Sequence, residues 1–230
     1  MTNKKALSTN EIVLVSLIVL ILAAISIPMM VKAVKTKGIV TQVEKAYSSL
    51  DSAFYLIRII EGSPECWSAS EEGYYNVFSA YMPIEREFVP KKLEVVKYKG
   101  INGKIEESFN RNNIAMGRMP DGTVIRFVNI DSACKMVCGQ SWRLLNVCAE
   151  VYVTVRDTNG HINLSNLVFG RNTFAFYITK EGIVPVGTKG SSKDAQYMCN
   201  KKSDSIDSKS CTAWILLKKN FNYLKKPVQW

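Results

Sequence analysis

The sequence predicts an α+β protein: one long N-terminal helix, apolar in its first half, packed by its second half on a C-terminal antiparallel sheet head. Three observations predict it. Residues 12–31 form a twenty-residue run without a charge. Beyond them Val40, Val43, Tyr47, Leu50, Phe54 and Ile57 recur at steps of three and four, which is one stripe of a helix. After Gly62 and Pro64 the pattern changes to short alternating runs bounded by turn residues.

The first run has the length of a bilayer span, since about 20 helical residues cover roughly 30 Å. Lys4 and Lys5 precede it, and positive flanks stay cytoplasmic. The expected arrangement is therefore a single-pass inner-membrane protein with a cytoplasmic N-terminus and a periplasmic head. Polar Gln42, Glu44, Lys45 and Asp51 fall between the members of the second stripe, so that stripe is core. Gly62 supplies a C′ position and Pro64 a stop. Pro28 and Gly38 lie inside the helix and would bend or open it.

In the remaining roughly 170 residues there is enough chain for one core. Residues 74–82, "YYNVFSAYM", predict a short helix ended by Pro83. The segments 93–99, 123–129, 149–156, 173–182 and 212–221 predict strands, with turns at 100–103 and 120–122. Hydrophobic residues make up 47% and charged residues 22% of the chain, which excludes global disorder. The net charge of +10 permits nucleic acid or anionic lipid as a partner, but the lysines are spread in pairs, as on a solvated surface.

The N-terminal stretch resembles the prepilin segment of type IV pilins and type II secretion pseudopilins. In that family a basic leader ends in a small residue, a prepilin peptidase cuts after it, and the mature chain carries glutamate fifth and proline twenty-second. A cut between Ala6 and Leu7 makes Glu11 the fifth and Pro28 the twenty-second residue, with "ILAAISIP" between them similar to the family's "ILAAIAIP". Two departures stand out: the family usually has glycine before the cut and phenylalanine after it, where this chain has Ala6 and Leu7. The segment "CAEVYVTVRDTNGHINLSNLVFGRNTFAFYITKEGIVPVG" and the later "CTAWIL" are similar to pseudopilin heads.

The resemblance implies a pilin-like fold divided into a leader at 1–6, a transmembrane and assembly half at 7–31, an amphipathic half at 32–62 and a periplasmic head at 63–230. It implies a structural subunit, not an enzyme, that joins a pseudopilus or pilus-like filament. Its partners would be other pilin-like subunits, the prepilin peptidase, an inner-membrane assembly platform and membrane lipid, with methylation of Leu7. In such a filament the new α-amine of one subunit would meet the Glu11 carboxylate of its neighbour. A carboxylate in an apolar setting needs such a partner, and the pair specifies register. Two rival readings remain open: a minor pilin that captures DNA, and a signal-anchored periplasmic protein unrelated to filaments.

Sites beyond that segment are few. Asp157 and Asn159 start a loop with the alternation of a calcium loop, but Asp157 is the only carboxylate nearby; a polar hairpin loop is the expectation, and no cofactor is required. Cys199 and Cys211 flank an eleven-residue polar loop, and a disulfide there would contribute about 3 kcal/mol on the loop-entropy model. Cys66, Cys134, Cys138 and Cys148 allow three pairings. No nucleophile, Walker or dinucleotide motif is present. His161 reads as an exposed loop residue. Glu71 with Glu72 and Glu106 with Glu107 read as surface charges.

Overall fold

A computed structural model of the chain describes residues 9–87, 95–110, 115–156, 162–226 and 228–229, and describes the backbone alone at 9–12, 28, 29, 32, 33 and 106. Ala6, Leu7, Asp157, Asn159 and His161 lie outside the described residues.

Helix α1 is Thr9–Ile60. The chain nevertheless divides into two compact units, Met1–Lys37 and Gly38–Trp230. This corrects the expected fold, in which one long helix served as a single spine. Helical periodicity is a local property, whereas membership of a body depends on what the side chains touch. Only the 38–60 part of α1 belongs to the head. In the N-terminal unit every large apolar side chain described between Val13 and Val34 is 47–71% exposed. Ser16 and Ser26 return their hydroxyl protons to the carbonyls of Val13 and Leu22, at 3.0 and 2.7 Å.

The single-pass inner-membrane placement is also corrected. Among the described residues no helix is long and apolar enough to cross a membrane.

The head begins with the second part of α1. Val43, Leu50, Phe54 and Ile57 are fully buried and Val40 nearly so. Tyr47 stacks on Phe176 with ring centroids 5.6 Å apart, and Gln42 Oε1 accepts the backbone N–H of Arg156 at 3.1 Å. Gly62, at φ +84°, turns the chain after the helix in a conformation that a Cβ would strain. The indole of Trp67 then donates to the Gly62 carbonyl at 3.2 Å and packs edge-on against Phe54, Tyr74 and Phe78. Helix α2, Glu71–Tyr81, starts at Ser70, whose side chain accepts from Gly73 N.

The strands are β1 (Glu85–Glu87), β2 (Val95–Lys99), β3 (Ile105–Asn110), β4 (Met116–Arg118), β5 (Val124–Val128), β6 (Val147–Thr154), β7 (Leu167–Val168), β8 (Thr173–Thr179) and β9 (Gly182–Pro185). Six of them form a sheet in the order β1-β4-β5-β6-β8-β9, antiparallel throughout. A second sheet, β3-β2-β7, contains a parallel pair, β2 with β7. The head is therefore not the single antiparallel sheet of the expectation. Every residue of β6 and β8 is buried, because both faces of the large sheet are covered. Ile125, Phe127, Val151, Val153, Phe174 and Phe176 face the core shared with α1 and α2. Val124, Tyr152, Ala175 and Tyr177 face a second core, shared with Val96 and Tyr98 of the small sheet.

The segment at 212–221 was expected as a strand and is mostly helix α5, Cys211–Lys218. A short apolar run fits either period, and the contacts choose. The neighbouring short helices α3 (Ala195–Met198) and α4 (Ser205–Ser208) lead into it. Cys211 is bonded to Cys199 at the end of α3. Thr212 Oγ1 accepts from Ala175 N of β8 at 2.9 Å, and Lys219 closes the helix in the left-handed region at φ 53°. Gly187 lets this layer approach, since a Cβ there would lie 1.9 Å from the Ser210 carbonyl oxygen. A second disulfide joins Cys134 to Cys148, while Cys66 and Cys138 are free.

Phe54 sits where α1, Trp67 and the large sheet meet. Replacing it with alanine is expected to lower stability by about 3–5 kcal/mol, measured by urea unfolding. A loss under 1 kcal/mol would show that this packing is not what holds the helix to the head.

Candidate functional site

The chemistry-bearing side chains of the head gather between the two sheets. Tyr152 and Glu150 point from β6 toward the small sheet, where the surroundings are apolar and aromatic. Glu107 arrives from β3. Lys209 arrives from the link between α4 and α5 and is nearly fully buried. Its Nζ lies 2.6 Å from Glu107 Oε1 and 3.1 Å from Glu150 Oε2, and it also contacts the Tyr152 hydroxyl. The Tyr152 hydroxyl is 2.9 Å from Glu107 Oε2 and 3.2 Å from Glu150 Oε2, so its proton reaches either carboxylate. The ammonium also lies 4.7 Å from the Tyr152 ring and 5.2 Å from the Phe169 ring.

Burial pushes the Glu150 carboxyl up, but Lys209, Lys193 and the Tyr152 hydroxyl together bring it below the ordinary carboxylate range. Burial, reinforced by Glu150 and Glu107, pushes the Tyr152 phenol well above its usual value. The cluster therefore holds an ammonium, two carboxylates and a neutral phenol. A buried ion set of this kind specifies which surfaces meet more than it adds stability.

A second buried cation lies along the same face. Arg126 of β5 is 1% exposed, donates from Nη2 to both oxygens of Glu71 at 3.1 and 3.2 Å, and has its guanidinium carbon 3.7 Å from the Phe109 ring centroid. Burial raises the Glu71 carboxyl, and Arg126 opposes that rise. Glu71 and Glu107, partly buried, are the partners of two buried cations, which corrects their reading as plain surface charges. The detectable signal was a lone charge inside an otherwise uncharged strand: Arg126 in "TVIRFVN" and Glu150 in "VCAEVYVT". Lys209, in a polar loop, carried no such signal.

Of the residues singled out by sequence, the structure brings together Cys199 and Cys211. Glu11 and Pro28 lie in helical backbone, and their side chains are not described. Among the described residues no group of three or more His, Cys, Asp or Glu could hold a metal ion. Two cavities open on the surface near α3 and α5. One, of about 340 Å³, is lined by lysines at 201, 202, 225 and 226. The other, of about 440 Å³, is apolar and lined by Tyr47, Pro185, Ala213, Leu216 and Leu217 among others.

Removing the ammonium leaves buried carboxylates without their counter-ion. Lys209→Met is expected to cost about 3–5 kcal/mol near neutral pH. The sign of the pH dependence follows from Glu150. In the native protein its lowered pKa contributes stability above the ordinary carboxylate range, lost as pH falls through the folded value. Without Lys209, burial dominates and the carboxyl titrates above its ordinary value, so acid relieves the penalty. The difference between native and variant should shrink from about pH 7 to about pH 4.5 in paired urea titrations. A difference independent of pH would mean that lost packing, not charge, is the cause.

No family model matches the chain, and no curated protein or solved structure matches it either.

Proposed function

We propose that the chain is a prepilin-like structural subunit, cut before Leu7, that assembles with other pilin-like subunits into a filament through its apolar helical segment. The observation that carries this reading is the exposure of that segment. From Val13 to Val34 the helix presents large apolar side chains, and each one described is at least 47% exposed. Burying one such side chain fully is worth about 1.5–3 kcal/mol. An apolar surface of this extent marks an interaction site. The head needs none of it, since the stripe ending at Ile57 and the two cores close on themselves.

The spacing of Glu11 and Pro28 supports the filament reading over other uses of an apolar helix. Cutting before Leu7 creates an α-amine, and the Glu11 carboxylate of a neighbouring subunit is its natural counter-ion. That pair would set the register between copies whose apolar faces alone allow sliding. The role is mechanical and needs no catalytic group.

Intact-mass measurement of the chain from cells tests the cut. A mature chain starting at Leu7, unmodified or with one added methyl group, is expected; a chain that keeps its first six residues would overturn the reading. Leu17→Glu with Ile21→Glu is expected to abolish self-association of the full chain in light scattering, with the far-ultraviolet circular dichroism of the head unchanged. Glu11→Ala is expected to reduce entry into filaments at least tenfold while the chain still folds. Normal incorporation of Glu11→Ala would remove the ion pair from the assembly step.

A further inference from the structure

We propose that the lysine-lined cavity beside the Cys199–Cys211 disulfide binds an oligophosphate, a small ligand carrying two or more linked phosphate groups. Two segments distant in sequence build this cavity. Asn200, Lys201 and Lys202 follow α3 on one side, and on the other stand Tyr223, within a turn of 3-10 helix at Asn222–Leu224, and Lys225 and Lys226 just after it. The volume, about 340 Å³, is in the range of small-ligand pockets, about 300–1,000 Å³.

The lining holds four lysines and no carboxylate. Among the described residues none of the four forms an ion pair, although ion pairs occupy lysines and arginines elsewhere on the head. Four lysines on the lining of one cavity with no carboxylate among them make it a positive site, and an anion seated there is held by their charge. Lysine serves phosphate as a point charge, without the planar fork that arginine offers a carboxylate. One phosphate engages one or two ammonium groups; four lysines on the lining of one cavity suit a chain of phosphates. A neighbouring cavity, lined by Trp214, Lys218 and Asn222, shares Lys226 with the first and also lacks a carboxylate. The positive lining thus continues past the first cavity.

The walls are held in place independently of any ligand. Cys199 lines the cavity and is bonded to buried Cys211. Asn200 Oδ1 accepts from Lys202 N at 2.9 Å, and its amide donates to the Met198 carbonyl at 3.2 Å, which sets the turn carrying the two lysines. Tyr223, fully buried, donates to the Gly170 carbonyl and anchors the opposite wall. Tyr197 stands at the rim, 74% exposed, where a base attached to the phosphates would find a ring to stack on.

Calorimetric titration of the full chain with sodium tripolyphosphate tests the site. Saturable binding of one tripolyphosphate per chain is expected, weakening as salt is added. Lys201→Gln with Lys225→Gln should weaken it at least tenfold, and Lys104→Gln, an exposed lysine elsewhere, should change it less than twofold. Both lysines are exposed, so the double variant should keep its unfolding midpoint. A nucleoside triphosphate that binds as tripolyphosphate does, or tighter, supports the site, with the tighter case assigning a role to Tyr197. Absence of saturable tripolyphosphate binding, equal losses in the double variant and the Lys104 control, or binding seen only with long oligonucleotides would each overturn it. Because the readout is the head's own affinity, failure here leaves the filament reading untouched.

Discussion

The ammonium of Lys209 is what allows two carboxylates to lie between two sheets. Glu150 belongs to a strand whose every residue is buried, and its side chain is only 10% exposed, so its carboxylate is largely withdrawn from water. Glu107 comes from the other sheet. One cation contacting both ties the small sheet, the large sheet and the α4–α5 link to a common point. Alternative registers would move Glu150 or Glu107 by one residue and leave a charge against an apolar face. Arg126 and Glu71 repeat the device nearby, and they tie α2 to the centre of the large sheet.

Around that point the head is assembled by ordinary apolar packing. One face of the large sheet receives the stripe of α1, with α2 and Trp67 closing its end. The other face receives the small sheet, where Tyr98, Tyr152 and Phe169 pack ring against ring. The α3–α5 layer is locked by a disulfide and by the Thr212 hydroxyl on β8. The same disulfide locks one wall of the cavity that the four lysines line. The N-terminal unit shows the opposite balance: its backbone hydrogen bonds close within the helix, and its side chains have no such cover.

Elements with a strong period were legible in advance. The stripe from Val40 to Ile57 is buried, "YYNVFSAYM" lies in α2 except for its last residue, and the alternating runs around 95–99, 124–128, 147–154 and 173–179 are strands. The Cys199–Cys211 bridge was legible from the loop it closes. The run at 212–221 misled because six apolar or small residues in a row carry no period, and a disulfide and a threonine hydroxyl decided for helix. The charge-free run at 12–31 read as a membrane span, whereas among the described residues no helix is long and apolar enough to cross a membrane. The site was less legible still. Glu107 read as a surface charge, and the lysine pairs at 201 and 225 read as scattered, because nothing local says that two loops 23 residues apart face each other.

Residue order alone settled which stretches are helical or extended, where the helix stops, and that an apolar segment precedes a cysteine-containing head, since these depend on periods and turn chemistry within a few residues. Folding in three dimensions settled which charges are buried, which cysteines pair beyond one loop, and which lysines from separate loops line one cavity. Those outcomes depend on distances between residues far apart in the chain, and no local pattern encodes a distance.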